Sequence, residues 1–122
     1  MINLLEHTRR PDISFSRDGT IRITSRVVRV LSLRPGDSIN IAVSEGEYLL
    51  HAVRHTDGIG RHIARCFLSK RGGSTLCAQS VALCRALLDA VGISGNHASF
   101  MVGQAIERAG VKYIPIITLH PL

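Results

Sequence analysis

The sequence has no tryptophan and few other aromatic residues, with three Phe and two Tyr among 122 residues. Its core must therefore be built mainly from Ile, Val, Leu and Ala. The scarcity of rings disfavours a stacking platform for single-stranded nucleic acid. Cysteine is also scarce: Cys66, Cys77 and Cys84 form an odd set without CxxC spacing. Reduced thiols in a cytoplasmic protein are the simplest interpretation of that set.

No long apolar stretch interrupts the sequence. Residues 1–7 lack the basic and apolar regions of a signal peptide, and no later window approaches the length of a membrane span. An apolar fraction of 45% is nevertheless enough to bury a core. We therefore expect one cytoplasmic domain over residues 1–122, without membrane contact and with residues 1–12 as a loose N-terminal arm.

Lysine is rare and arginine is common. Lys and Arg together number fifteen against nine acidic residues, which gives a net charge of +6, and only Lys70 and Lys112 are lysines. Arginine forms planar, bidentate contacts with phosphate and guanine that lysine cannot make. This composition favours a polyanionic partner.

The apolar pattern predicts an α+β domain of antiparallel β-hairpins with one short and one longer helix. Alternating residues indicate strands at 13–15, 21–23, 39–43, 48–53 and 61–68, and a closing hairpin of 99–106 with 111–119. The helices are expected at 26–31 and 76–91. The expected core comprises Ile21, Ile23, Leu31, Ile39, Ile41, Leu87, Leu88, Ile114 and Ile116.

The order of the predicted elements repeats along the chain. Residues 20–53 and 61–119 each run strand, helix, hairpin, so the chain divides into possible halves at 13–55 and 60–119. A duplicated βαββ barrel would explain this order, and chance similarity between common arrangements would explain it equally well.

Residues 13–43 carry a more specific pattern. It consists of Ser16-Arg17-Asp18-Gly19-Thr20-Ile21-Arg22-Ile23-Thr24, a short helix ending in Leu31-x-Leu33, and Arg34-Pro35-Gly36-Asp37-Ser38-Ile39-Asn40-Ile41. This segment resembles the DNA-binding half of AbrB-type (SpoVT/AbrB-like) swapped-hairpin regulators. The resemblance implies two interleaved chains whose loop and helix basic residues lie along DNA. Of the basic residues here, Arg26 and Arg29 fall where the family commonly has basic helix residues, and Arg22 is one step removed from the expected position. Together with Arg17 from the turn, these residues form the expected phosphate-contacting face: Arg17, Arg22, Arg26 and Arg29.

The resemblance has two departures from the family pattern. Thr24-Ser25 stands where the family commonly opens its helix with Pro, and Thr20 stands where it often has a basic residue. Residues 54–122 have no family assignment. The departures favour the alternative interpretation, a structural or protein-interaction module without enzymatic activity.

Three other sequence patterns could indicate a metal, thiol or phosphate-binding site. His51, His55 and His62 suggest a metal site, but His51 and His55 would lie about 13 Å apart on an extended strand. Cys66 and Gly72-Gly73-Ser74 are better explained as a core residue and a turn. Arg9 and Arg10 fit an ordinary chain terminus. We expect no metal, no cofactor and no catalytic activity.

The sequence therefore predicts a cytoplasmic, DNA-binding transcription regulator that contacts the phosphates of double-stranded DNA. A homodimer is expected unless the two halves pair within one chain.

Overall fold

The computed structural model describes residues 11–53, 64–68 and 75–118. Residues 1–10 of the predicted N-terminal arm, including Arg9 and Arg10, lie outside these residues, as do His55, His62 and the glycine turn at 72–74, whereas Asp12 at the end of that arm is buried. The strands are β1 (Ile13–Ser16), β2 (Thr20–Ile23), β3 (Ser38–Ser44), β4 (Glu47–Val53), β5 (Ala64–Leu68), β6 (Leu76–Gln79), β7 (His97–Val102), β8 (Ile106–Arg108) and β9 (Val111–Ile117). The helices are α1 (Ser25–Leu31) and α2 (Val81–Ala90).

Eight of the strands form a closed antiparallel barrel in the order β4-β3-β5-β6-β2-β1-β7-β9, and β9 pairs back to β4. The short strand β8 adds to β9 outside this ring. Each barrel strand thus has a neighbour on both sides, which removes the free edges that would otherwise invite pairing with another chain.

The predicted α+β class is wrong, because the described residues are mostly β with two short helices. The main error is the predicted helix over 76–91. Leu76 and Ala78 point into the barrel from strand β6, and the helix begins only after Ser80, whose hydroxyl accepts a hydrogen bond from Leu83 N at 3.1 Å. The alternating apolar residues of β6 are followed by the apolar face of α2 with no Gly or Pro between them. The two elements therefore have the sequence pattern of one long apolar helix.

The closing hairpin is also more complex than predicted. Strand β7 ends at Val102, and the chain then forms the separate strand β8 before it returns as β9. The β8–β9 turn has positive φ at Ala109 (52°) and Gly110 (79°). Strand β9 consequently pairs with three partners along its length, β4, β7 and β8.

Most of the predicted core is buried: Ile21, Ile23, Leu31, Ile39, Leu87, Leu88, Ile114 and Ile116. Ile41 is only partly buried, because it lies toward the tip of the β3–β4 hairpin, where Val43 is 66% exposed. Sequence patterns did not single out Phe15 and Phe100. Their rings fill the barrel interior edge to face, with centroids 6.0 Å apart and no exposed surface.

The chain folds as two interleaved halves with the same element order. The first is β1-β2-α1-β3-β4 and the second is β5-β6-α2-β7-β9, with β8 inserted before β9. Strand β6 of the second half is the leading strand that the sequence did not indicate. Exchanging the halves maps the β1–β2 pair onto β5–β6, β3–β4 onto β7–β9 and β3–β5 onto β7–β1, while β2–β6 and β4–β9 map onto themselves. The barrel therefore has an approximate two-fold axis that relates two parts of one chain.

Because the two halves already pair with each other, we predict a monomer in solution. Light scattering after gel filtration should give a mass near 13.3 kDa that does not change with protein concentration. A mass near twice that value at low micromolar concentration would contradict the prediction.

The β1–β2 turn offers a test of the packing at the start of α2. Gly19 has φ +101°, and an added Cβ would lie 2.9 Å from the backbone nitrogen of Val81 and would collide with the Gln79 side chain. We expect Gly19→Ala to lower the free energy of unfolding by at least about 2 kcal/mol, through backbone strain and overpacking together.

Gly46→Ala is the matched control. Gly46 also has positive φ, at +78°, but its Cβ would meet open space. This substitution should lower the free energy of unfolding by only about 1 kcal/mol, through backbone strain alone. Equal losses for the two variants in urea unfolding would show that the contact with Val81 is not significant.

Candidate nucleic-acid interface

One side of the barrel presents two rows of outward side chains across the neighbouring strands β5, β6, β2, β1 and β7. One row consists of Arg65, Gln79, Thr20, Ser16 and His97, and the other of Phe67, Cys77, Arg22, Ser14 and Ser99. We call these ten residues the basic wall. Their outward direction follows from strand alternation, since Ile21, Ile23, Ala64 and Cys66 occupy the inward positions of β2 and β5.

The basic wall contains no carboxylate. None of its five strands contains Asp or Glu, whereas Glu47 lies on β4 and Glu107 on β8. Arg22 and Arg65 are exposed, and neither has an ion-pair partner within the described residues. They stand two strands and one row apart, which places their backbones about 12 Å from each other. The wall therefore carries two uncompensated positive charges.

Helix α1 brings two further predicted site residues next to β2, because only Thr24 separates the two elements. Arg29 is exposed and has no ion-pair partner in the described part of the chain. Arg26 is 47% exposed, and its guanidinium lies 3.6 Å from Oδ2 of the buried Asp12. That carboxylate also accepts a hydrogen bond from Val102 N at 3.0 Å. Arg26 thus contributes less free charge than Arg29.

Arg17 has a different environment from the other three predicted contacts. Its guanidinium is held on three sides, by the Asp89 carboxylate at 2.9 Å, the Gly95 carbonyl at 2.8 Å and the Ile93 carbonyl at 2.5 Å. The side chain ties the β1–β2 turn to the end of α2 and to the loop that follows. We therefore assign Arg17 a structural role and leave it out of the interface.

Arg65 is a site residue that the sequence reasoning missed. The signal was present, since it precedes Cys66 in a predicted strand and must point outward if Cys66 points into the core. The family resemblance ends at residue 43 and therefore does not reach Arg65. Only the β5–β6–β2 pairing places Arg65 on the same face as Arg22.

The cysteines and histidines provide little reactive chemistry. Desolvation raises the pKa of Cys66 and of Cys84 to about 11, so both thiols stay protonated at neutral pH. The His51 ring packs against the Tyr113 ring at 5.2 Å between centroids. Within residues 11–53, 64–68 and 75–118, no three His, Cys, Asp or Glu side chains converge as metal ligands.

Neither helix of the described part of the chain has the length and hydropathy of a membrane-spanning segment. Comparison of the chain with known protein families, with curated proteins and with solved structures found no match.

The contrast between Arg17 and Arg22 can be tested by substitution. Arg17→Ala should lower the free energy of unfolding by about 1.5–3 kcal/mol, because it leaves two carbonyls and Asp89 without their charged donor. Arg22→Ala removes the same side chain from an exposed strand position and should change stability by less than about 0.5 kcal/mol. Urea unfolding of the two variants checks this, and similar losses would refute the structural role of Arg17.

Proposed function

We propose that this protein is a cytoplasmic DNA-binding transcription regulator that contacts the phosphates of double-stranded DNA through Arg22, Arg65, Arg26 and Arg29. The observation that carries the proposal is the basic wall. Its five neighbouring strands contain no carboxylate and hold two arginines that have no ion-pair partner in the described part of the chain.

Charge and hydrogen-bond donors on the wall fit a phosphate backbone. A carboxylate on this face would repel phosphates, and none is present on its strands. Thr20 and Ser14 add hydroxyl donors beside Arg22, and hydroxyls commonly join arginine in phosphate contacts. Binding of this kind releases counterions, so its strength depends on the number of phosphates neutralised.

The resemblance of residues 13–43 to AbrB-type regulators supports the same function, since it places DNA contact on this strand-helix segment. The three free cysteines agree with a reducing compartment. The proposed activity is binding alone, for which no cofactor or catalytic group is required.

A protein-interaction module is the second candidate, and it is favoured by two exposed apolar side chains on β5. Phe67 is 46% exposed and Leu68 is 63% exposed. Arginine beside an exposed aromatic ring is also common in protein–protein interfaces. If this candidate is correct, the wall binds a protein partner and duplex DNA is not retained.

If the DNA proposal is correct, the affinity for duplex DNA should fall steeply as the salt concentration rises, and the slope should depend on the named arginines. With about four phosphates neutralised, the slope of log K against log salt concentration should be roughly −3 to −4 for a random duplex. The double variant Arg22→Ala/Arg65→Ala should reduce its magnitude by about 2 and weaken binding at low salt. Arg26→Ala/Arg29→Ala should have a similar or smaller effect, because Asp12 already compensates part of the charge on Arg26.

The double variant Arg108→Ala/Lys112→Ala is the matched control. It removes the same charge from β8 and β9, outside the basic wall, and should leave the slope close to that of the wild type. Fluorescence anisotropy with a labelled duplex measures all four proteins. Equal losses in control and wall variants would exclude the wall as the interface, and no binding by the wild type at 50 mM salt would favour the protein-interaction module.

A further inference from the structure

An open cleft of about 510 Å³ lies where the β1–β2 turn, helix α2 and the start of β7 meet. It is lined by Ser16, Arg17, Asp18, Arg85, Asn96 and His97. Its volume is in the range of small-molecule sites, although its lining is polar and charged rather than apolar. The chemistry of that lining determines what it can bind.

Arg85 is the uncompensated cation of the cleft. Its Nε donates a long hydrogen bond of 3.5 Å to the Arg17 carbonyl, and it has no ion-pair partner within the described residues. Asp89 lies one helical turn further along α2, but its carboxylate pairs with Arg17. The terminal nitrogens of Arg85 are therefore available for bidentate contact with an oxyanion.

Groups that can donate hydrogen bonds, or orient a donor, surround this charge. The His97 ring lies between two hydroxyls, with Nδ1 2.9 Å from Ser16 Oγ and Nε2 3.2 Å from Ser99 Oγ. A hydroxyl can turn its proton toward a ligand, and an imidazole can carry its proton on either nitrogen. The Asn96 side chain, also exposed, adds an amide at the same rim.

Asp18 contributes a carboxylate to the lining, and it has no ion-pair partner among the described residues. It accepts the backbone N–H of Thr20 at 2.9 Å, and hydrogen bonds from Thr20 lower the pKa of this carboxyl, with a smaller contribution from the charge of His97. Asp18 therefore remains ionised at neutral pH, and its charge opposes an anion in the cleft. Removing that charge should strengthen anion binding.

We propose that this cleft binds a phosphate group, with Arg85 as the charged contact, Ser16 and Asn96 as hydrogen-bond donors, and His97 as the group that orients the Ser16 hydroxyl. A small phosphorylated ligand and a phosphate of the DNA backbone would present the same chemistry to these residues. The site shares Ser16 and His97 with the basic wall. Its charged contact is Arg85 rather than Arg22 or Arg65, so the cleft can be tested separately from the proposed DNA interface.

The test is an NMR titration of the ¹⁵N-labelled full chain with inorganic phosphate, with sodium chloride of equal ionic strength as the reference. We expect saturable shifts at the backbone amides of Arg17, Asn96 and His97, and none at Gly46 on the β3–β4 turn, which does not line the cleft. Arg85→Gln should weaken phosphate binding about tenfold or more, as loss of a charge-assisted contact predicts. The control Arg108→Gln, on β8, should leave it unchanged.

Asp18→Asn should change the phosphate affinity in the opposite direction from Arg85→Gln. The amide oxygen can still accept the Thr20 N–H, while the negative charge is lost, so phosphate should bind about 2–5-fold more tightly. The spectra themselves show whether each variant is folded. The absence of saturable shifts in the wild type, the same shifts with chloride, or equal affinities for Arg85→Gln and Arg108→Gln would each overturn the proposal.

Duplex DNA then distinguishes the two sources of phosphate. If Arg85→Gln weakens duplex binding as much as phosphate binding, the cleft holds a backbone phosphate. If Arg85→Gln loses phosphate binding but keeps duplex binding unchanged, the cleft serves a small phosphorylated ligand. The same conclusion follows if the variant loses phosphate binding and the wild type binds no duplex. Both results support the site, and the titration remains decisive even if the DNA proposal fails.

Discussion

Closure of the barrel between β4 and β9 is the constraint on which the rest of the structure depends. Tyr48 to His51 pair with Tyr113 to Ile116, so the last strands of the two halves seal one ring. Once the ring is closed, each barrel strand is fixed at both edges, and a shift of one residue would turn the core side chains of a strand outward. Closure therefore determines the positions of the surface residues as well as those of the core.

The basic wall is a direct consequence of this register. Ile21 and Ile23 fill the interior from β2, so Thr20 and Arg22 must face solvent, and Ala64 and Cys66 impose the same alternation on Arg65. Burying an unpaired arginine would cost far more than any gain from repacking. The positions of the charged groups are thus as well determined as the apolar core itself.

The first half of the chain could be predicted well from sequence, and the second half could not. Asp18-Gly19 and Glu45-Gly46 mark turns that require positive φ, and they separate strands with clean alternation. Between Leu76 and Val91 no such residue stands at the junction of strand and helix, and Ser80 resembles a helix-interior serine until its capping bond is seen. Local sequence patterns could not predict the cleft, because Ser16 and His97, whose side chains form a hydrogen bond there, are 81 positions apart in the sequence.

The fold gives similar arginines different roles through one internal ion pair. Arg17 takes Asp89 as its partner, and this pairing leaves Arg85, four residues earlier on α2, without a carboxylate partner among the described residues. The structural contact that fixes the β1–β2 turn thereby also creates the free charge in the cleft. Ser16 and His97 belong both to the cleft lining and to the basic wall. A phosphate held by Arg85 would therefore lie beside the acid-free surface that contains Arg22, so the two proposed sites can act as one extended anion-binding face.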